Sequence, residues 1–248
     1  MTIFILLPAY NEFDNLPTLI SSLHMVLKKT GLPYQIVIVD DGSTDKTSTL
    51  AKFYKADAAI QVAKHKINWG LGAAMDTGFK ATLKKAKDDD LLISMDADNT
   101  HDVTAIPSIM KKYEQEYDLI LTSRFLPGGG DQGISLLRKI LSHQAGHIFQ
   151  LLFPIAGVRE YTSSYRGYRI SLLRRAYAHF GDNFINEKGF NCMLEILVKL
   201  STFSPKIIEV PVMLYYDRKK GKSKMDIKKT MWRYMVIAMN RKRFIGQT

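Results

Sequence analysis

Two carboxylates separated by a single residue form the strongest chemical signal in this sequence. Asp96 and Asp98 flank Ala97 and follow residues 91–95, an apolar run that is typical of a buried strand. Carboxylates in this position can hold one divalent cation. Oxygen ligands suit Mg²⁺ or Mn²⁺, with water and substrate phosphates completing the coordination shell. Two acids that cap a loop would leave the same local pattern, so the surrounding elements have to decide between a metal site and a capped loop.

A second acidic segment, Asp40-Asp41-Gly42-Ser43-Thr44-Asp45, follows another apolar run. Ser43 or Thr44 suits the N-cap of the helix that follows, and we expect these hydroxyls to be structural. Asp40 and Asp41 repel each other and therefore need donors. One of them could face a donor such as a nucleobase N–H. A capped turn is the alternative, for Asp41 in particular.

Two further segments are suited to approach phosphate. Gly70 and Gly72 lie at the start of a predicted helix, whose N-terminus favours an anion. Close packing of the helix on the sheet would require the same small residues. Residues 215–224 form a strongly basic segment that either folds over phosphate or is an ordinary solvated loop.

Alternating strand and helix patterns place these segments at one edge of a sheet. Such alternation gives βαβ units and a mainly parallel sheet, in which ligands bind beyond the carboxyl ends of the strands. With 248 residues, of which 46% are hydrophobic, we predict one α/β domain. The predicted strands are residues 3–7, 34–39, 58–63, 91–95, 119–122 and 206–214, and the predicted helices are 14–29, one after 45, 72–85, 105–116, 135–153 and 226–243.

Composition limits the cellular setting. Cys192 is the single cysteine, which excludes an internal disulfide framework and fits a reducing compartment. The apolar N-terminus lacks a basic flank and is too short for a secretory signal. Residues 140–158 carry no acidic or basic residue, but five polar side chains interrupt them, so this window does not predict a membrane span. We therefore expect any membrane contact to be peripheral.

Positive charge is concentrated near the C-terminus. The formal net charge is +11, and residues 206–243 contain twelve Lys and Arg against three Asp and Glu, a net charge of +9. A solvated basic tail would explain this run. So would an anionic partner, namely phosphate, an acidic membrane surface or nucleic acid.

Taken in order, the motifs resemble those of the family 2 glycosyltransferases, which have the GT-A (Rossmann-like) fold. The resemblance covers almost the whole chain. Its first half rests on Pro8-Ala9-Tyr10-Asn11-Glu12, Val39-Asp40-Asp41-Gly42-Ser43, Gly70-x-Gly72 and Asp96-Ala97-Asp98. The second half resembles the polyprenol-phosphate (dolichol-phosphate) mannosyltransferase branch, through Thr122-Ser123-Arg124, Arg138-Lys139-x-x-Ser142, Thr162-Ser163-Ser164-Tyr165-Arg166, Met193-Leu194-Glu195-Ile196, Glu209-Val210-Pro211 and Arg218-x-x-Gly221-x-Ser223-Lys224.

The resemblance implies a role for individual residues. Asp98 would hold the metal on the donor diphosphate and Asp96 would approach the sugar and ribose, both as metal-site residues. Arg124, Arg218 and Lys224 would act with them in catalysis by ordering the donor and closing over its phosphates. The implied nucleotide-sugar pocket comprises Pro8, Tyr10, Glu12, Asp40, Asp41, Gly70, Asp96, Ala97 and Asp98. The implied acceptor site comprises Arg138, Ser142, Ser163, Arg218 and Lys224.

Two positions depart from the family pattern. Thr100 stands where the family often has a glutamine, two residues beyond the second aspartate. Ser164 replaces a glycine in the Asp-x-x-Ser-Gly pattern of the branch, which removes backbone freedom and adds a hydroxyl on the expected acceptor side. These departures leave the sugar and the acceptor open.

The resemblance thus implies an inverting, metal-dependent hexosyltransferase that uses a UDP- or GDP-sugar. Its expected acceptor is a polyprenyl phosphate at an anionic membrane surface, and we predict a cytoplasmic protein bound peripherally to the inner face of the membrane. The expected domain organisation is a catalytic domain of residues 1–224 and a basic helix of residues 225–248. That helix either lies in the membrane interface or packs on the core.

Three other functions compete with this one. A transferase that extends a soluble or polymeric glycan would need a general base, for which Glu160 and Glu195 are candidates. A nucleotide-sugar-binding pseudoenzyme that regulates a partner is disfavoured by the intact Asp96-Ala97-Asp98 and by Arg218 with Lys224. Nucleic-acid binding ranks last, because the acidic sheet edge would repel phosphates in the absence of a metal. The sequence does not indicate an oligomeric state.

Overall fold

The computed structural model describes residues 1–54, 57, 59–134, 146, 148–221 and 227–239. Its strands are β1 (Ile3–Ala9), β2 (Tyr34–Asp40), β3 (Ile60–Lys64), β4 (Leu91–Ser94), β5 (Leu119–Ser123), β6 (Gly130–Gln132), β7 (Arg166–Arg169), β8 (Ile207–Pro211) and β9 (Met213–Tyr215). Its α-helices are α1 (Leu16–Lys29), α2 (Thr47–Tyr54), α3 (Leu71–Leu83), α4 (Ile106–Glu114), α5 (Ile170–Phe180), α6 (Cys192–Ser201) and α7 (Ile227–Met239).

Seven strands form one sheet in the order β3-β2-β1-β4-β7-β5-β8. Every neighbouring pair is parallel except the two pairs that involve β7, which runs antiparallel between β4 and β5. Strands β6 and β9 form a separate two-stranded parallel sheet. The predicted α/β class with a mainly parallel sheet is confirmed.

Apolar residues on both faces of the sheet explain why the central strands read as continuous hydrophobic runs. In β1, Ile3, Ile5 and Leu7 pack with α1 and α4, whereas Phe4 and Leu6 pack on the opposite face with α3, α5 and α6. Side chains of a strand alternate between the two faces, so a strand covered on both sides must be apolar at every position.

Strand β7 was not predicted, because its sequence is Arg-Gly-Tyr-Arg. Arg166 is nevertheless fully buried, and its guanidinium donates to the carbonyls of Met193 (2.7 Å) and Tyr161 (2.8 Å). Gly167 passes close to α4, since a Cβ atom here would lie 2.6 Å from Cγ2 of Ile109. Tertiary contacts, rather than hydrophobic alternation, therefore make this segment a strand.

The C-terminal helix α7 packs on the protein core with one face. Tyr234 and Ile237 are buried, and Asn191 donates to the carbonyl of Thr230 (3.0 Å). Trp232 and Met235 remain exposed. The separation of residues 225–248 as an interfacial element stays a prediction. No helix among the described residues is long and apolar enough to cross a bilayer.

The predicted helix over residues 135–153 falls partly outside the described residues. Residues 148–152 are helical, as predicted. Phe149 and Phe153 are buried, whereas Ile148 and Leu151 are exposed.

The glycines at the start of α3 permit close packing against residues 187 and 188. The Gly72 N–H donates to the carbonyl of Lys188 (3.0 Å), and a Cβ atom on Gly72 would lie 1.8 Å from the carbonyl oxygen of Glu187. A side chain therefore cannot fit at this position without movement of the backbone.

We predict that Gly72→Ala lowers the free energy of unfolding by about 1–3 kcal/mol, because the new methyl group overlaps a backbone oxygen. Denaturant unfolding measures this change. The matched control is Gly189→Ala, where a Cβ atom would meet only the Asn191 side chain at 3.7 Å. Equal stability of the two variants would contradict the packing argument.

Candidate active site

The acidic and basic motifs meet at the carboxyl ends of adjacent strands. β1 lies between β2 and β4, with Ala9 opposite Asp40 and Leu6 opposite Ser94. The segments that follow these three strands are therefore neighbours in space. Arg124 follows β5, farther along the same edge.

Asp96 is held in place by two neighbouring side chains. Its Oδ1 accepts a hydrogen bond from the Ser164 hydroxyl (2.6 Å), and its backbone N–H donates to Nδ1 of His101 (3.0 Å). Nε2 of His101 lies 3.8 Å from Asp96 Oδ2. Burial, reinforced by the nearby charge of Asp98, raises the pKa of the Asp96 carboxyl, although His101 and Ser164 act in the opposite direction.

Asp98 has a different electrostatic environment. Its Oδ1 accepts the backbone N–H of Thr100 (3.1 Å), and its Oδ2 accepts Nζ of Lys219 (2.7 Å). Burial by itself would raise the pKa of Asp98, but the Lys219 ammonium outweighs it and lowers that pKa. The two carboxylates therefore differ: the anionic form is stabilised at Asp98 and disfavoured at Asp96.

Ser164 and His101 are functional candidates that the motif analysis did not assign to the donor side. The Ser164 hydroxyl contacts Asp96, and its place on the acceptor side stays a prediction. The His101 ring stacks on the Tyr165 ring, with 5.1 Å between the ring centres. A histidine three residues after Asp98 was the available sequence signal, but only the fold shows that it turns back to Asp96.

Asp40 and Asp41 are both buried and hold loops together. Oδ1 of Asp40 accepts the N–H of Ser43 (3.0 Å), and its Oδ2 accepts the Ser48 hydroxyl. These contacts match the alternative of a capped turn, here formed by Asp40. A direct contact of either aspartate with a nucleobase remains a prediction.

Asp41 anchors the loop that leads into α3. Its Oδ1 accepts hydrogen bonds from His65 Nδ1 (2.6 Å) and the Trp69 N–H (2.9 Å), and its Oδ2 accepts the Gly70 N–H (2.8 Å). Gly70 has a φ of 95°, and a Cβ atom there would lie 2.3 Å from the carbonyl oxygen of Lys188. Packing thus explains this glycine without a ligand.

The end of β1 and the segment after it supply three more of the expected donor-pocket residues, and the buried Ala97 lies between Asp96 and Asp98. Pro8 and Tyr10 are half-buried, and Glu12 is buried, with its Oε2 accepting from Asn15 Nδ2 (2.6 Å). Asn11 adopts a left-handed conformation (φ 54°), and its Oδ1 accepts the N–H of Thr44 (2.8 Å). This contact joins the loops that follow β1 and β2.

Arg124 lies among acidic groups. Its Nε is 3.3 Å from Oε2 of Glu160, and its NH1 is 3.8 Å from Oδ1 of Asp131. Oε1 of Glu160 accepts the N–H groups of Thr162 (2.9 Å) and Ser163 (3.1 Å). Arg124 and Glu160 therefore order the loop that carries Ser163 and Ser164.

Both candidates for a general base are buried and engaged in structural contacts. Glu160 is 1% exposed and Glu195 is fully buried. Glu195 pairs with Lys199 (2.6 Å) and accepts the N–H groups of Asn186 (2.9 Å) and Glu187 (2.7 Å). Neither carboxylate is available to an acceptor hydroxyl in this arrangement.

The described part of the basic loop lies over the acidic pair. Lys219 contacts Asp98 directly, whereas the exposed Arg218 stacks its guanidinium 3.5 Å from the centre of the Tyr215 ring. The remaining predicted site residues, Arg138, Ser142 and Lys224, lie outside the described residues.

Among sequence relatives, the chain is 28% identical to an undecaprenyl-phosphate mannosyltransferase of Micrococcus luteus, over 91% of this chain and 88% of that protein. It is 29% identical to a polyprenol monophosphomannose synthase of Mycolicibacterium smegmatis, over 90% of this chain and 80% of that protein. A dolichol-phosphate mannosyltransferase of Pyrococcus furiosus is also 29% identical, over 95% of this chain but only 62% of that longer protein.

Solved structures with the same fold include two GT-A glycosyltransferases. A mannosyl-3-phosphoglycerate synthase from Rubrobacter xylanophilus superposes with a TM-score of 0.71, covering 100% of this chain and 76% of that one at 16% identity. A glucosyl-3-phosphoglycerate synthase from Mycobacterium tuberculosis was crystallised with Mn²⁺ and UDP. It superposes with a TM-score of 0.67 at 16% identity, covering 100% of this chain and 81% of that one.

The family model for glycosyl transferase family 2 matches residues 4–177, which include every strand-end motif from Tyr10 to Ser164. The chain therefore belongs to glycosyl transferase family 2, and it resembles the polyprenol-phosphate mannosyltransferase branch of that family.

Proposed function

We propose that the protein transfers a hexose from a UDP- or GDP-sugar to a polyprenyl phosphate, with inversion at the anomeric carbon. The observation that carries the proposal is the Asp96 and Asp98 pair at the end of β4, with a basic loop folded onto it through Lys219. Acids that can hold a metal beside cations that can meet phosphate are what a diphosphate leaving group requires. The names of the sequence relatives support the polyprenyl phosphate acceptor and make mannose the first sugar to test.

A divalent ion is compatible with the residues present. Asp96 and Asp98 offer carboxylate oxygens, and Asp98 Oδ2 already pairs with a cation, the Lys219 ammonium. The Thr100 hydroxyl is buried and has no hydrogen-bond partner among the described residues. The described residues contain no cluster of three or more His, Cys, Asp or Glu side chains that could hold a metal, so phosphates and water would supply the other ligands. Mn²⁺ or Mg²⁺ held by Asp96 and Asp98 would neutralise charge on the departing diphosphate.

The side chains of this chain would do the remaining work by position and charge. Ser164 and His101 orient Asp96, Lys219 lies beside Asp98, and Arg218 of the same loop would supply a second cation to the diphosphate. A phosphate monoester with a second pKa of about 6 is already largely ionised at neutral pH and needs no strong base. The buried pairings of Glu160 and Glu195 agree with such an acceptor better than with a sugar hydroxyl.

We further propose that the enzyme works at the cytoplasmic face of a membrane as a peripheral protein. The exposed face of α7 carries Trp232 (62% exposed), Met235 (53%) and Met239 (82%). The same region of the sequence carries most of the net positive charge. An exposed apolar stripe beside basic residues suits the interface of an anionic membrane.

We predict that Asp98→Asn reduces lipid-dependent release of nucleoside diphosphate by about 100-fold or more, because the diphosphate loses its metal ligand. Release is measured with Mn²⁺ or Mg²⁺, a panel of UDP- and GDP-sugars and a short polyprenyl phosphate. The control is Asp102→Asn, which keeps the side-chain acceptor that now binds the Thr104 N–H.

Each other result of this assay points to a different function. Release that requires a glycan acceptor would replace the lipid phosphate with a sugar hydroxyl. Donor binding without turnover on any acceptor would favour a nucleotide-sugar-binding regulator.

We predict that the protein floats with anionic phospholipid vesicles at low ionic strength and is released as salt screens the charges. Met235→Ser should weaken this binding, because it removes apolar area from the exposed face of α7. Met25→Ser is the matched control, since Met25 is similarly exposed (60%) on α1. Equal flotation with neutral and anionic vesicles, or equal loss in both variants, would argue against binding through α7.

A further inference from the structure

Lys219 occupies the cation position of the acidic pair. Its Nζ lies 2.7 Å from Asp98 Oδ2, and the two side chains are only 18% and 11% exposed. The charges of Glu12 and Asp96 also act on this ammonium and, with Asp98, raise the pKa of Lys219 despite its burial. One lysine thus pairs with Asp98 and lies in the field of two further carboxylates at the strand ends.

The backbone on both sides of Lys219 is fixed to the same strand-end segments. Lys220 donates its N–H to Asn15 Oδ1 (3.0 Å) and accepts from Asn15 Nδ2 (3.1 Å) through its carbonyl. Tyr215 donates its N–H to the carbonyl of Thr100 (2.8 Å). Asn99 Nδ2 donates to the carbonyl of Asn15 (2.9 Å). Asn15, which holds the backbone of Lys220, is thereby linked to the segment after Asp98. The contact between Lys219 and Asp98 is therefore built into the fold of the loop.

A divalent ion bound through Asp98 Oδ2 would compete with this ammonium for the same oxygen. Two cations cannot both lie within coordination distance of one carboxylate oxygen without strong repulsion. The displaced ammonium would need another anion, and a nucleoside diphosphate at the metal provides one.

We propose that Lys219 is the resident counter-ion of the Asp96 and Asp98 site and that it exchanges with the divalent metal: the metal takes Asp98 Oδ2 while Lys219 transfers to the diphosphate. This inference rests on the metal site of the proposed function. Lys219 acts as a binding residue that couples the binding of metal to the binding of nucleotide. A nucleotide that accepts the ammonium lowers the cost of metal binding, and by linkage the metal raises nucleotide affinity by the same factor.

The test measures Mn²⁺ binding, by the electron paramagnetic resonance signal of free Mn²⁺, with and without UDP or GDP and without any sugar. Lys219→Met removes the competing charge and keeps most of the side-chain volume. We expect this variant to bind Mn²⁺ about 10-fold more tightly than wild type in the absence of nucleotide, the order expected for loss of a charged hydrogen bond. Nucleotide raises the Mn²⁺ affinity of wild type by some factor, and we expect that factor to be about 10-fold smaller in Lys219→Met.

Two variants serve as controls. Lys219→Arg keeps a cation beside Asp98 and should bind Mn²⁺ as wild type does. Lys220→Met removes an exposed charge from the same loop while its backbone contacts to Asn15 remain, and it should also match wild type. Thermal unfolding of each variant establishes that the loop substitutions leave the protein folded.

Three results would overturn the exchange. Unchanged or weaker Mn²⁺ binding by Lys219→Met without nucleotide would show that Lys219 does not compete with the metal. A change confined to nucleotide affinity would make Lys219 a simple phosphate ligand. Absence of Mn²⁺ binding to wild type with either nucleotide would overturn the metal site itself, and with it the metal clause of the proposed function.

Discussion

Buried carboxylates need hydrogen-bond donors or cations, and this requirement organises the edge of the sheet where the strands end. Asp41 accepts three hydrogen bonds that fix residues 65–70, and Glu195 does the same for residues 186 and 187. Glu160 holds the loop that carries Ser163. Each of these acids converts a loop of irregular sequence into a rigid support. Asp96 and Asp98 differ in exposure, because their side chains are 30% and 11% exposed, against 4% or less for the other three acids.

That difference separates structural acids from chemical ones. Glu195 and its partner Lys199 are both buried and closed to a ligand, whereas Asp98 and its partner Lys219 are partly exposed, so this pair can exchange partners. The loop that supplies Lys219 is anchored by Asn15, which is 1% exposed, so the cation returns to a defined position. The acidic pair and the basic loop thus form one electrostatic unit.

The antiparallel strand β7 brings the second half of the chain into this unit. It pairs with β4 on one side and β5 on the other, so the residues just before it lie beside Asp96. Ser164 reaches Asp96 for this reason, and Arg166 fixes the crossing by donating to two backbone carbonyls. Burial of an arginine side chain costs free energy unless the guanidinium is paired. The Arg166 guanidinium is paired with carbonyls of α6 and of the loop that precedes β7, and it thereby joins these segments to β7.

The sequence by itself determined the α/β class, six of the seven strands of the main sheet, the helices α1 to α4 and the edge at which the motifs meet, because apolar runs and turn residues are local signals. Motif order indicated the family and the acidic pair. Only the tertiary structure decided that Arg-Gly-Tyr-Arg is a strand, that Ser164 and His101 serve Asp96, and that Asp40, Asp41, Glu160 and Glu195 hold loops. It also brought the Lys219 ammonium to Asp98, a contact that the sequence did not predict, while the phosphate-closing roles of Arg218 and Lys224 stay predictions. Some of these outcomes depend on contacts between residues far apart in the chain, such as Ser164 with Asp96 (68 positions) and Lys219 with Asp98 (121 positions), which leave no local pattern in the sequence.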